Sequence, residues 1–262
     1  MNRFKSFLIS FLSLMLITSS AAAQAKTNPS TQSSKTVRRP LPKPLAGSRG
    51  FERYAGRDAS ARLIAAAATR SPGTKYFEQG LAYSESGKNK EAIEAFQKAV
   101  ELDAKNPKLF WAVFNLGNSY ADDGQYEKAI AAYKQTLSLQ ANFPRAYYNL
   151  GVAYVELNRT EDAIRAFREA IKQRVDHAMA YYNLGVLYGT VGDYREAAAA
   201  FKQALVLKRQ GVEVQYALDE AHFNLGLALL KLNQKAEAME HYQALKELKS
   251  KLGDELFALI AG

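Results

Sequence analysis

Residues 147–152 read YYNLGV, and residues 181–186 read YYNLGV again, 34 residues later. Self-similarity at a fixed period of this size constrains a fold more than any local propensity, because it makes the chain an array of one supersecondary unit. Related stretches stand at Phe114–Tyr120 (FNLGNSY), Phe223–Leu229 (FNLGLAL) and, more weakly, Phe77–Tyr83 (FEQGLAY). The shared glycines are Gly80, Gly117, Gly151, Gly185 and Gly226, at spacings of 37, 34, 34 and 41. Three residues are thus inserted after the first unit and seven after the fourth.

The same residue types recur at fixed distances from each glycine. Three residues on stand Tyr83, Tyr120, Tyr154, Tyr188 and Leu229. Seven on stand Gly87, Gly124, Asn158, Gly192 and Asn233, the types that enter the left-handed conformation ending a helix. Twelve on is always Ala, at 92, 129, 163, 197 and 238. Sixteen on is an aromatic (Phe96, Tyr133, Phe167, Phe201, Tyr242), and nineteen on are Ala99, Thr136, Ala170, Ala204 and Leu245. The spacing predicts two short helices per unit with a Gly/Asn turn between them, each with one apolar face. Small residues allow close approach, and the aromatics fill the space left over. One such hairpin cannot bury its apolar face alone, so stability must come from stacking.

On these residues the chain resembles the tetratricopeptide repeat family, whose pattern is an aromatic, Leu-Gly, then Tyr, Ala, aromatic and Ala. The resemblance implies an all-α, right-handed superhelical solenoid of about five helix–turn–helix units, near 73–109, 110–143, 144–177, 178–218 and 219–250. It covers roughly 73–250. The family's late Pro is missing, its places being taken by Ala104, Ala141, Val175 and Arg209, and Gln79 stands where Leu is usual. Residues 251–262 read as a C-terminal capping helix, rather apolar for a cap.

In front of the array, residues 1–25 read as a secretory signal peptide. Arg3 and Lys5 precede an apolar run from Phe7 to Ile17, and Ala21–Ala25 offers small-residue cleavage sites. The protein is therefore expected to be exported, to a periplasmic or extracellular place, with no transmembrane span after cleavage. Residues 26–50 are rich in Pro, Ser and positive charge and are expected to be a disordered basic linker. Residues 51–72 include a short basic helical segment. Residues 26–75 hold 11 Lys and Arg against two Asp and Glu, whereas residues 76–262 hold 22 against 24. The formal charge of +9 thus belongs to the leader and not to the repeats, and no nucleic-acid partner is expected.

The residues offer little chemistry. Without cysteine there is no thiol nucleophile, thiolate metal site or disulfide. His177, His222 and His241 show no metal-site spacing, and no phosphate-binding glycine loop occurs. Neither catalysis, a metal nor a cofactor is expected. His222 stands where other units have Tyr76, Tyr147 and Tyr181, and reads as a packing substitution.

What remains is a surface. The resemblance implies that first helices line a concave groove, with contacts to a protein or peptide partner from Phe77, Trp111, Phe114, Asn115, Asn118, Arg145, Tyr148, Asn149, Tyr182, Asn183, Phe223 and Asn224. The asparagines offer two donors and one acceptor each, and the aromatics offer large contact area at low entropy cost. Lysine clamps for a C-terminal carboxylate, known in chaperone-binding members, are not expected, because an aromatic fills that place in all five units. The expectation is a non-enzymatic adaptor or scaffold. The alternative is a surface-associated scaffold whose basic leader binds an anionic surface while the repeats serve as spacer or self-association module.

Overall fold

The computed structural model describes residues 71–104, 106, 108–174, 177–211 and 218–262. The signal-peptide and linker readings, the helix expected within 51–72 up to residue 70, and the insertion at 212–217 lie outside the described residues. The described residues form eleven helices and no strand. They are α1 (Pro72–Glu85), α2 (Asn89–Leu102), α3 (Leu109–Asp122), α4 (Tyr126–Leu139), α5 (Pro144–Glu156) and α6 (Thr160–Gln173). There follow α7 (Ala178–Val191), α8 (Tyr194–Arg209), α9 (Leu218–Lys231), α10 (Lys235–Glu247) and α11 (Leu252–Ala261). Odd and even helices up to α10 pair as five antiparallel hairpins. Each hairpin packs on the next, and first helices also touch one another directly, α1 on α3, α3 on α5 and α7 on α9. The result is a helical solenoid.

The sequence sets the helix ends. Pro72 and Pro144 occupy first helical positions, where a missing N–H is harmless. Ser71 caps α1, its Oγ accepting from the Thr74 N–H at 3.3 Å. Every second helix carries a carboxylate in its first turn, near the positive end of the dipole: Glu91, Glu127, Glu161 with Asp162, Glu196 and Glu237. The five turn residues Gly87, Gly124, Asn158, Gly192 and Asn233 all have positive φ, from 56° to 92°. After each, the next residue donates its N–H to the carbonyl of Tyr83, Tyr120, Tyr154, Tyr188 or Leu229 at 2.8–2.9 Å. This is the Schellman closure, and it uses the large residue three after the shared glycine.

Inside each hairpin the small residues admit the large ones. The five alanines twelve on from the glycines are fully buried, as are Phe96, Tyr133, Phe167 and Phe201. A Cβ added at Gly80, Gly117, Gly151 or Gly185 would lie 2.6–2.7 Å from the ring of Phe96, Tyr133, Phe167 or Phe201. The glycine is therefore a seat for a ring. That ring in turn meets the aromatic three before the glycine, with centroids 5.4–5.9 Å apart in units one to four. Thr136 stands where units one, three and four have alanine, and its buried hydroxyl donates to the Ala132 carbonyl at 2.9 Å.

Unit five departs from the expected pattern. Tyr242 was expected to fill the seat over Gly226, but Leu256 of α11 takes it, 2.6 Å from the added Cβ. Tyr242 instead packs against Phe257, centroids 5.0 Å apart. α11 packs on α9 and α10 and adds the buried Leu256 and Ile260 to the core. Beside it His222 and His241 face each other, Nδ1 to Nδ1 at 3.0 Å. Burial first, then the charge of His222 and that of Lys202, pushes His241 down to about 4, against partial relief from Glu237 and with a smaller push from Arg209. His222 is also lowered, by burial and then Arg209, with Asp219 acting the other way.

Two predictions follow from this packing. Gly185→Ala should destabilise by about 1–3 kcal/mol despite alanine's helix preference, because the enclosed Phe201 ring has nowhere to go. Gly226→Ala should cost less, since it meets only the flexible end of Leu256 on a terminal helix; denaturant titration of both variants checks the order. The histidine pair predicts a pH effect. An unfolded histidine takes up its proton near 6.5 while folded His241 waits until about 4, so the unfolded chain binds more protons between those values. Stability is therefore full above pH 6.5 and declines as the pH falls toward 4. Replacing the pair by Tyr and Ala, as in units three and four, should flatten that decline in melting curves.

Candidate partner-binding surface

The twelve residues expected along the groove all lie on first helices: Phe77 on α1; Trp111, Phe114, Asn115 and Asn118 on α3; Arg145, Tyr148 and Asn149 on α5; Tyr182 and Asn183 on α7; Phe223 and Asn224 on α9. The structure sorts them into two sets. Phe77, Trp111 and Arg145 are partly exposed. The other nine are buried, most of them at 1% exposure or less. The expectation of nine accessible side chains is corrected on this point, and the cause is visible in their partners.

The asparagines bond along the array. Asn149 Nδ2 donates to Asn118 Oδ1 at 2.8 Å, and Tyr133 OH donates to the same oxygen at 2.9 Å. Asn118 thereby ties its own hairpin to the next. One unit on, Asn183 Nδ2 donates to Tyr148 OH at 3.3 Å, and one further, Asn224 Nδ2 donates to Tyr182 OH at 3.2 Å. Asn115 turns back on its own helix, donating to the Trp111 carbonyl at 2.8 Å. Buried amides need such partners, because an unmet one costs about 1–3 kcal/mol. The row is thus an internal chain of hydrogen bonds crossing each junction from unit two to unit five.

The aromatics are packed in the same way. Tyr148 lies between Phe167, at 5.4 Å, and the buried ring of His177, stacked at 4.8 Å. His177 directly precedes α7, between units three and four. At the junction of units two and three, Phe143 receives Phe110, Trp111 and Phe114 at 5.6, 5.0 and 4.9 Å, all edge-on. Neither Phe110 nor Phe143 was singled out in the sequence. The available signal was Phe143-Pro144, an apolar residue directly before a helix start.

The partly exposed set is the part of this surface that solvent reaches. A cleft between units one and two is lined by Phe77, Trp111, Asp103 and Lys108, placing aromatic faces beside one acid and one base. Arg145 follows on α5. At the far end Glu220 is exposed on α9 and its Oε2 lies 3.5 Å from Tyr182 OH. Partial desolvation and then Asp219 raise its carboxyl above the usual range, against the hydrogen bond from Tyr182. Among the described residues no three His, Asp or Glu side chains are grouped to hold a metal.

Comparison with known proteins agrees with this architecture. A TPR repeat family model matches residues 80–113 and 117–158, and a tetratricopeptide repeat model matches 148–211 and 187–252. A crystal structure of MamA protein is 28% identical, with TM-score 0.59, covering 68% of this chain and 92% of that one. MamA from Desulfovibrio magneticus RS-1 is 20% identical, with TM-score 0.58, over 68% and 94% of the two chains. A tetratricopeptide repeat protein from Parabacteroides merdae ATCC 43184 is 19% identical, with TM-score 0.61, over 72% and 73%. At those last two identities the likeness speaks for the fold alone. No curated protein sequence matches significantly. The two family models together take in well over half of the sequence, and the chain belongs to the tetratricopeptide repeat family.

Proposed function

We propose that this protein is a non-enzymatic adaptor that holds a segment of a partner protein along its first-helix face, outside the cytoplasm. The repeats support the general reading, since arrays of this family serve protein–protein interaction. The observation that carries the finer reading is the division of the first-helix residues. The buried Tyr and Asn side chains are already bonded to one another, which makes a stiff backing. The partly exposed Phe77, Trp111 and Arg145 stand in front of it. A preformed surface of this kind loses little freedom on binding. Trp and Arg are among the residues most often found at energetic centres of interfaces.

The proposal of export rests on residues 1–25, with their basic start, apolar run and alanine-rich end. Among the described residues no helix is long and apolar enough to cross a membrane. N-terminal sequencing of the cell-derived protein should show a start shortly after Ala23 or Ala25; an intact Met1 would contradict the leader's removal.

For the binding surface, a photoreactive residue is placed at Trp111 or at Lys134 on the second-helix side and irradiated in the living cell. Crosslinking of one distinct protein from position 111 and not from 134 is expected. Arg145→Glu should cut that yield several-fold, with the variant's melting curve measured alongside to separate lost binding from lost folding. Equal crosslinking from both places, or none, would overturn the reading.

A further inference from the structure

The chain enters its array beside the cleft between units one and two. Ser71, the first residue described, donates its hydroxyl to Asp103 Oδ2 at 2.5 Å. Asp103 lines that cleft with Phe77, Lys108 and Trp111. Its carboxylate is seated on the start of α1, Cγ lying 2.5 Å from where a Cβ on Gly73 would stand. Phe77, Trp111 and Asp103 are all partly exposed. Two aromatic side chains and one fixed acid thus stand where the preceding chain arrives. Residues 46–70, 25 in number, separate Ser71 from the stretch Pro40–Leu45, which reads PLPKPL.

We propose that PLPKPL folds back on the array of its own chain and occupies this cleft, prolines and leucines against Phe77 and Trp111, Lys43 toward Asp103. The chemistry of the segment suits the site. Three of its six residues are proline and carry no backbone N–H. Covering them with aromatic rings therefore leaves few donors to satisfy. Proline also has a fixed φ, so little freedom is lost on docking, and aromatic-lined grooves take proline-rich segments for this reason. Lys43 stands in the middle of the stretch, and Asp103 offers it a counter-charge.

The tether decides that contact within one chain is cheap. A flexible run of 25 residues has its ends about 25–30 Å apart. The whole of α1, with 14 residues at about 1.5 Å each, is about 21 Å long, so the cleft lies within reach. Such a tether holds the segment at a millimolar effective concentration. A contact with a free affinity of about 1 mM then covers the cleft in about half of the chains. Net charge also favours the return: residues 40–70 hold six Lys and Arg against two Asp and Glu, and residues 76–262 hold 22 against 24. The proposal rests on the reading of the first-helix face as a binding surface, and adds an occupant from the chain itself that a partner must displace.

The test uses the mature chain, with Trp111, its one tryptophan, as the reporter. The comparison is the triple variant Pro40→Ser, Pro42→Ser and Pro44→Ser, all outside the repeats, with melting checked alongside. Wild-type emission should lie further to the blue, and acrylamide should quench it roughly half as steeply as in the variant. Free PLPKPL peptide at millimolar concentration should restore the protection. Equal emission and quenching in the two proteins would overturn the proposal. A photoreactive residue at Leu41 should crosslink to α1 or α3 of the same chain; crosslinks only between two chains would overturn it, by making a second copy the occupant. Partner capture from position 111 in the cell separates this proposal from the adaptor reading. Capture without any difference in quenching removes the self-contact and leaves the adaptor. A protected Trp111 with no captured protein in either form removes the adaptor and leaves the self-contact.

Discussion

In units three and four one tyrosine is used at both ends. The ring of Tyr148 or Tyr182 packs on Phe167 or Phe201 and closes its own hairpin. Its hydroxyl then receives the amide of Asn183 or Asn224 from the next hairpin. Closure of a unit and attachment of its neighbour are therefore the same event at the same side chain. An array held in this way cannot easily shift its register, because a slip would leave buried amides without partners. The apolar contacts supply most of the driving force, and the tyrosine and asparagine pairs decide which arrangement those contacts adopt.

Most of this was legible in the sequence wherever a residue type has one physical use. Glycine and asparagine seven on from the shared glycine could only mean positive φ, and all five have it. The shared glycine itself could only mean close approach, and four of the five seat a ring from the second helix. The surface was harder to read, because an aromatic or an asparagine on a first helix has two uses. It can meet a partner, or it can meet the next repeat. Which applies depends on distances across the junction, and these do not follow from spacing within one unit. Asn149 reaches Asn118 across 31 residues of sequence, and Asn224 reaches Tyr182 across 42.

Unit five departs from the pattern of the first four. α11 packs on it with the buried Leu256 and Ile260. Leu256 takes the glycine seat, Tyr242 moves outward to Phe257, and the pair that is Tyr and Ala in units three and four becomes two histidines. The repeat pattern is thus relaxed where a single helix, and not a second hairpin, packs on the unit.

If the tyrosine–asparagine row joins the repeats, a double-mutant cycle across one junction will reveal it. Tyr182→Phe, Asn224→Ala and the double variant would each be unfolded in denaturant and compared with the wild type. A coupling energy of about 0.5–3 kcal/mol between the two positions is what a buried bond across the junction of units four and five predicts. Strictly additive losses would show that the two side chains do not support each other and that the row does not join the repeats.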